Sequence, residues 1–181
     1  DSVSQKIITY GELRHMAMSI ANGLIENGVL SNDYVSITLK RGYKQIIAIL
    51  GVLLAGAVYV PVSDKEPSER RSKIYEQIGI KHCISEEETI EKCGLEKDDI
   101  QILRVSSLLE YKALNEPVEI PCDASAYVIM TSGSTGVPKG VEIAHRSAMN
   151  TILDLNEKYH VTERDCLMTV SAVDFDLSVY D

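Results

Sequence analysis

Ten consecutive residues, Thr131-Ser132-Gly133-Ser134-Thr135-Gly136-Val137-Pro138-Lys139-Gly140, hold three glycines, four side-chain hydroxyls and one lysine. They follow the apolar run Ala126-Tyr127-Val128-Ile129-Met130 without a break. A buried strand is therefore predicted to empty into a loop with the chemistry to hold a polyphosphate. Glycine lets the backbone turn and approach a ligand closely. Successive backbone N–H groups can then face one concavity and bind an anion. Thr131, Ser132, Ser134 and Thr135 add hydroxyl donors, Gly133 and Gly136 give the backbone access, and Lys139 adds positive charge. These seven are the candidate phosphate ligands, and a nucleotide triphosphate is the ligand they suit.

Composition alone would fit a mobile connection; the order of residues is more specific. A Walker A loop needs Gly-Lys-Ser/Thr after a glycine and four residues. Here Pro138 is the fifth residue after Gly133, and Gly140 follows Lys139. The Gly-x-Gly-x-x-Gly spacing of a dinucleotide fingerprint is absent as well.

The elements that must position this loop alternate in type. Thr9-Tyr10-Gly11-Glu12 reads as a capping box, and Leu13, Met16, Ala17, Ile20, Ala21 and Leu24 follow at helical spacing. Strands are predicted at 34–39, 57–62, 80–84, 100–105, 126–131 and 167–170. Helices are predicted at 44–54, from Pro67 to Ile78, at 86–93, at 146–158 and from about Leu177. Residues 109–123 form a looser connection with Pro117 and Pro121. Strands alternating with helices point to an α/β fold built from parallel-sheet crossover units. The loop then lies at the carboxyl end of a strand, where open α/β sheets bind ligands.

The chain has 181 residues, 45% hydrophobic and 25% charged, enough for a sizeable core. Its net charge of −9 argues against nucleic acid as the main partner. The longest apolar run, Ile46 to Val62, is broken by Gly51, Gly56 and Pro61, so no membrane span is expected. Cys83, Cys93, Cys122 and Cys166 lack metal-site spacing and read as free thiols of a reducing cytoplasm. His145, after the strand that follows the loop, reads as a local structural contact. His15, His82 and His160 have no partners at a telling spacing. Glu86-Glu87-Glu88 reads as a solvated helix start.

The Thr131–Gly140 segment resembles the signature loop of the adenylate-forming superfamily: acyl-CoA synthetases, luciferases and the adenylation domains of nonribosomal peptide synthetases. All ten positions fit that pattern, as do Tyr127 before it and Val141 and His145 after it. Ile8-Thr9-Tyr10-Gly11-Glu12-Leu13 resembles the family's first motif. Leu54-Ala55-Gly56-Ala57-Val58-Tyr59-Val60-Pro61-Val62 resembles the second, with Leu54 where lysine is frequent and Ser63 where aspartate is usual. Phe175-Asp176-Leu177-Ser178 resembles the fourth. Alone, Asp176 would read as a helix cap or first-turn acid. The resemblance implies instead that it pairs with the α-ammonium of an amino acid substrate.

The resemblance implies the N-terminal part of the family's large domain. Residues 1–108 would be a first α/β portion, 109–125 a connection, and 126–181 the portion with the signature loop and the start of the acid pocket. It implies ATP-dependent activation of an amino acid to its adenylate. The product would be loaded onto the phosphopantetheine thiol of a peptidyl carrier protein domain. The first pocket positions fall on Asp176, Leu177 and Tyr180, a start that resembles cysteine-activating domains. The family's adenine-binding motif, magnesium-binding glutamate, ribose-binding aspartate, hinge and catalytic lysine lie further along than Asp181. No catalytic residue or metal ligand is therefore expected among the 181 residues. The isolated chain is expected to be inactive, and an apolar surface left at the pocket would favour self-association. Two alternatives stand beside this reading: a fragment of an acyl- or aryl-acid CoA ligase, and a non-catalytic nucleotide-binding or scaffolding module.

Overall fold

A computed structural model describes residues 6–131 and 139–180. Helix α1 (Tyr10–Glu26) begins at the expected capping box. The Glu12 amide donates to Thr9 Oγ1 at 3.2 Å, and the Thr9 amide donates to Glu12 Oε2 at 2.8 Å. These bonds hold the Glu12 carboxyl below its usual range. Strand β1 (Tyr34–Ile37), helix α2 (Tyr43–Leu54), strand β2 (Val58–Pro61) and helix α3 (Ser68–Ile78) follow. Then come β3 (His82–Ser85), α4 (Glu87–Cys93), a 3-10 turn (Leu95–Lys97), β4 (Gln101–Arg104) and the short α5 (Val105–Leu108). Strands β5 (Ser125–Thr131) and β6 (Lys139–Ala144) lead into α6 (His145–Lys158).

The six strands form one sheet in the order β4-β3-β1-β2-β5-β6. The first five are parallel, and β6 runs antiparallel to β5 at the edge. Side chains alternate along each strand and divide the core into two layers. Tyr59, Tyr127 and Ile129 pack with Ile20, Leu24, Ile47 and Val52 beneath α1 and α2. Val58, Val60, Val62 and Val128 pack with Ile74 and Tyr75 beneath α3 on the opposite face. Helices α1 and α2 meet closely because Gly51 leaves room for Ile20: a Cβ there would lie 2.3 Å from Ile20 Cγ2.

Two expectations near the carboxyl terminus change. Residues 167–170 form no strand; Leu167, Met168 and Val170 are all more than half exposed. No strand among the described residues pairs with them, so the extended pattern finds no ladder. The helix expected near Leu177 is a single 3-10 turn, Asp176–Val179. The glutamate run 86–88 opens α4 as expected, with Glu87 and Glu88 exposed, and each carboxylate in addition has a basic partner. Glu86 meets Lys44 at 2.6 Å, Glu87 meets Arg104 at 2.6 Å, and Glu88 meets Lys40. Those partners come from α2, β4 and the turn after β1, so the run ties three carboxyl ends of the sheet together.

Candidate functional site

Of the phosphate-binding candidates, Thr131 ends β5 and Lys139 opens β6. Strand β5 is wedged between β2 and β6, and its register pairs Met130 with Gly140 and Thr131 with Lys139. Thr131 Oγ1 donates to the Lys139 carbonyl at 3.1 Å and closes the base of the hairpin. Ser132, Gly133, Ser134, Thr135 and Gly136 lie outside the described residues. Both ends of their segment are therefore fixed by β-ladder pairing at the carboxyl end of β5.

Gly140 has a different task from the glycines before it. Its φ is not positive, so no special backbone conformation requires it. A Cβ at this position would lie 2.8 Å from Val128 Cγ1 and 3.5 Å from Met130 Sδ. The last glycine of the signature lets β6 lie flat on β5. Farther along β6, Glu142 accepts a 2.9 Å hydrogen bond from the Tyr34 hydroxyl of β1, which reaches across β2 and β5. The carboxylate's proximity raises the Tyr34 phenol above its ordinary value.

The turn into α6 is tied to the connection before β5. The amide of His145 donates to the Ala124 carbonyl at 3.0 Å and that of Arg146 to the Cys122 carbonyl at 2.9 Å. Burial pushes the His145 imidazole below its usual value, and its Nε2 has no hydrogen-bond partner. The local contact is thus made by the His145 backbone amide.

Beyond α6 the chain returns to the same sheet edge. The Arg41 guanidinium, in the turn after β1, donates to the carbonyls of Thr169 and Val170, the latter at 3.2 Å. Residues 172–179 then fold as consecutive turns, with the Phe175 amide on the Ala172 carbonyl and the Ser178 amide on the Phe175 carbonyl, both at 3.0 Å. The backbone of Asp176 and Leu177 lies in the second turn; their side chains lie outside what the structure describes. Val179 packs on the main core, and the Tyr180 hydroxyl donates to Asn156 Oδ1 of α6 at 3.1 Å. Thr131, Lys139 and the stretch containing Asp176 and Tyr180 thus share the carboxyl edge of one sheet. Arg41 and Asn156 were not legible as part of this arrangement. Their hydrogen bonds join residues 129 and 24 positions apart, or nearly so, and no local pattern encodes them.

A profile of AMP-binding enzymes matches residues 2–181. The chain belongs to the AMP-binding enzyme family. It is 48% identical over 178 residues to pyochelin synthetase PchE of Pseudomonas aeruginosa, covering 96% of this chain and 12% of that protein. It is 41% identical over 177 residues to the anguibactin system regulator of Vibrio anguillarum, covering 98% of this chain and 17% of that one. The chain therefore spans less than a fifth of these relatives' length. Among solved structures, the AMPPNP-bound form of the nonribosomal peptide synthetase FmoA3 superposes with a TM-score of 0.88 at 32% identity, over 97% of this chain and 18% of that one. The chain is the N-terminal portion of an adenylation domain of the nonribosomal peptide synthetase kind, with the α/β fold of adenylate-forming enzymes. No helix among the described residues is long and apolar enough to cross a membrane.

Proposed function

We propose that the protein containing this chain activates an amino acid with ATP, and that the β5–β6 hairpin holds the β- and γ-phosphates. The observation that carries this reading is the signature segment itself, gripped at Thr131 and Lys139 at the carboxyl end of a parallel strand. The AMPPNP-bound relative with the same fold supports it. The substrate carboxylate attacks the α-phosphorus, the bond to the β-phosphate breaks, and pyrophosphate leaves with the aminoacyl adenylate formed. Little covalent chemistry falls to these residues. Loop N–H groups, hydroxyls and Lys139 neutralise and orient the polyphosphate. Asp176 neutralises the substrate ammonium, and Leu177 and Tyr180 line the pocket beside it. Cysteine is the amino acid that this Asp-Leu-Tyr start favours.

The adenylate then passes to the phosphopantetheine thiol of a carrier protein domain: the thiolate attacks the acyl carbon, and AMP leaves. Among the described residues no group of three or more His, Cys, Asp or Glu side chains could hold a metal ion. The isolated 181 residues are expected not to form adenylate.

ATP–pyrophosphate exchange by the complete protein tests this reading. Cysteine is expected to drive exchange, and Lys139→Ala to weaken it. Exchange with another amino acid alone would remove cysteine as the substrate. Exchange driven by aryl or fatty acids, and by no amino acid, would overturn the role of Asp176. Absence of nucleotide binding would overturn the whole reading.

A further inference from the structure

We propose that Arg41 and Asn156 are positioning residues for the acid pocket, fastening the two ends of the stretch that carries Asp176. The inference rests on the adenylation reading above. Just before this stretch, one guanidinium reaches two successive carbonyls, those of Thr169 and Val170. At the other end, the Tyr180 hydroxyl is bound to Asn156 at 3.1 Å. Between these anchors lie two backbone turns and the contact of Ser178 Oγ with the Val173 carbonyl at 3.4 Å.

Position matters here because no regular element holds the stretch. It belongs to no strand, and its 3-10 turn has four residues. A carboxylate on such a backbone would discriminate an ammonium only if the backbone is held still, and misplacement by about 1 Å can cost about a hundred-fold in rate. Arginine suits the task because its planar fork offers several N–H donors at once, whereas lysine presents a single compact charge. Arg41 comes from the turn after β1, and Asn156 from α6, which grows directly out of β6. The anchors therefore refer the acid-binding stretch to the same sheet edge and the same hairpin that carry the phosphate loop. Such an arrangement fixes the acid relative to ATP.

The test uses the complete protein with Arg41→Ala, Arg41→Lys, Asn156→Ala and Asn156→Asp. Arg41→Ala is expected to raise the amino acid KM by about ten-fold or more, with the ATP KM unchanged within about two-fold. Arg41→Lys should recover part of the loss. Asn156→Ala should raise the amino acid KM by about three- to ten-fold, as expected for a neutral hydrogen bond. Asn156→Asp should restore it, since a carboxylate oxygen also accepts from the phenol. Combined, Asn156→Ala and Tyr180→Phe should raise the amino acid KM by less than the product of their separate effects, since both remove the same hydrogen bond. Hydrogen–deuterium exchange without substrates gives a readout independent of activity: amides within 168–180 should exchange faster in Arg41→Ala.

An active parent whose variants keep their amino acid KM overturns the proposal, as does a parallel rise in both KM values. Unchanged amide exchange in Arg41→Ala overturns the anchor itself. A parent that exchanges with no amino acid defeats the adenylation reading, and with it the pocket role, whereas the amide-exchange result still judges the anchor.

Discussion

Gly140→Ala separates the two tasks combined in the signature segment. An added Cβ would lie 2.8 Å from Val128 Cγ1, closer than side chains pack. Val128 is 4% exposed and sits in the layer beneath α3, so its methyl cannot swing into solvent. Either β6 lifts from β5 or Val128 leaves its preferred rotamer. Overpacking of this kind costs about 1–3 kcal/mol, and a value of about 2 kcal/mol would lower the melting temperature by about 4–8 °C in a chain of this size. Urea unfolding of the chain measures the loss. Val128→Ala removes the obstructing methyl and alone costs about 2 kcal/mol through the cavity it leaves. Together the two changes should cost less than their sum, with a coupling of about 1 kcal/mol or more. Additive losses, or a Gly140→Ala chain within about 0.5 kcal/mol of the parent, would refute the packing argument. In the complete protein the same change should also raise the ATP KM, because the hairpin base bearing Lys139 moves with β6.

Three other perturbations follow from the packing and the titratable groups. Gly51→Ala should destabilise the chain by about 1–3 kcal/mol despite alanine's better helix propensity, since the new methyl meets Ile20 Cγ2 at 2.3 Å; thermal unfolding checks this, and a stabilised variant contradicts it. Asp98→Asn should cost about 3–5 kcal/mol in urea unfolding, because it leaves the Arg71 guanidinium, 2% exposed and 2.8 Å from the carboxylate, without its counter-charge; a loss below about 1 kcal/mol would show that the Cys93 carbonyl suffices as its partner. His82 is held below its ordinary value of 6.5, first by burial and then by Lys81, against the opposing pull of Asp33 and Gln101. Above 6.5 neither the folded nor the unfolded imidazole is charged. As pH falls below that, the unfolded chain takes up the proton first, so stability drops until the folded value is passed. His82→Gln should flatten this part of the stability profile in unfolding experiments, and an unchanged slope would count against it.

Most of the sheet was legible because its strands are short apolar runs punctuated by glycine or proline, and its helices carry clear periodicity or a capping box. The strand at 57–62 and the helix at 44–54 needed only local information. The segment 167–170 did not form a strand because alternation states which residues could pair, not whether a partner strand is at hand. The glutamate run was legible as a helix start, but its ion-pair partners were not. Three adjacent carboxylates look solvated in sequence, and two of them remain mostly exposed, with side-chain exposures of 60% and 72%. Their partners arrive from three other elements through tertiary folding. The site divides along the same line. Thr131 and Lys139 were proposed from local order, whereas Arg41 and Asn156 make contacts that only the fold creates.

Those ion pairs also bear on how an acidic chain could hold a polyphosphate. The turn after β1 and the start of α2 bring three basic residues, Lys40, Arg41 and Lys44, to the carboxyl edge of the sheet. Each is already engaged: Lys40 with Glu88, Lys44 with Glu86, and Arg41 with two backbone carbonyls. The Glu86 carboxylate accordingly raises the Lys44 ammonium above its ordinary value. The two lysine charges are balanced locally by carboxylates, whereas Arg41 meets carbonyl dipoles and keeps its charge. On the function proposed above, phosphate recognition would rest chiefly on the donors of the signature segment, with Lys139 at the start of β6. Such donors act at hydrogen-bond range and are less screened by salt than a diffuse basic patch. Nucleotide affinity in the complete protein should therefore change little with moderate salt while remaining sensitive to single changes in the signature segment; a steep salt dependence in a binding titration would show that long-range charge governs it instead.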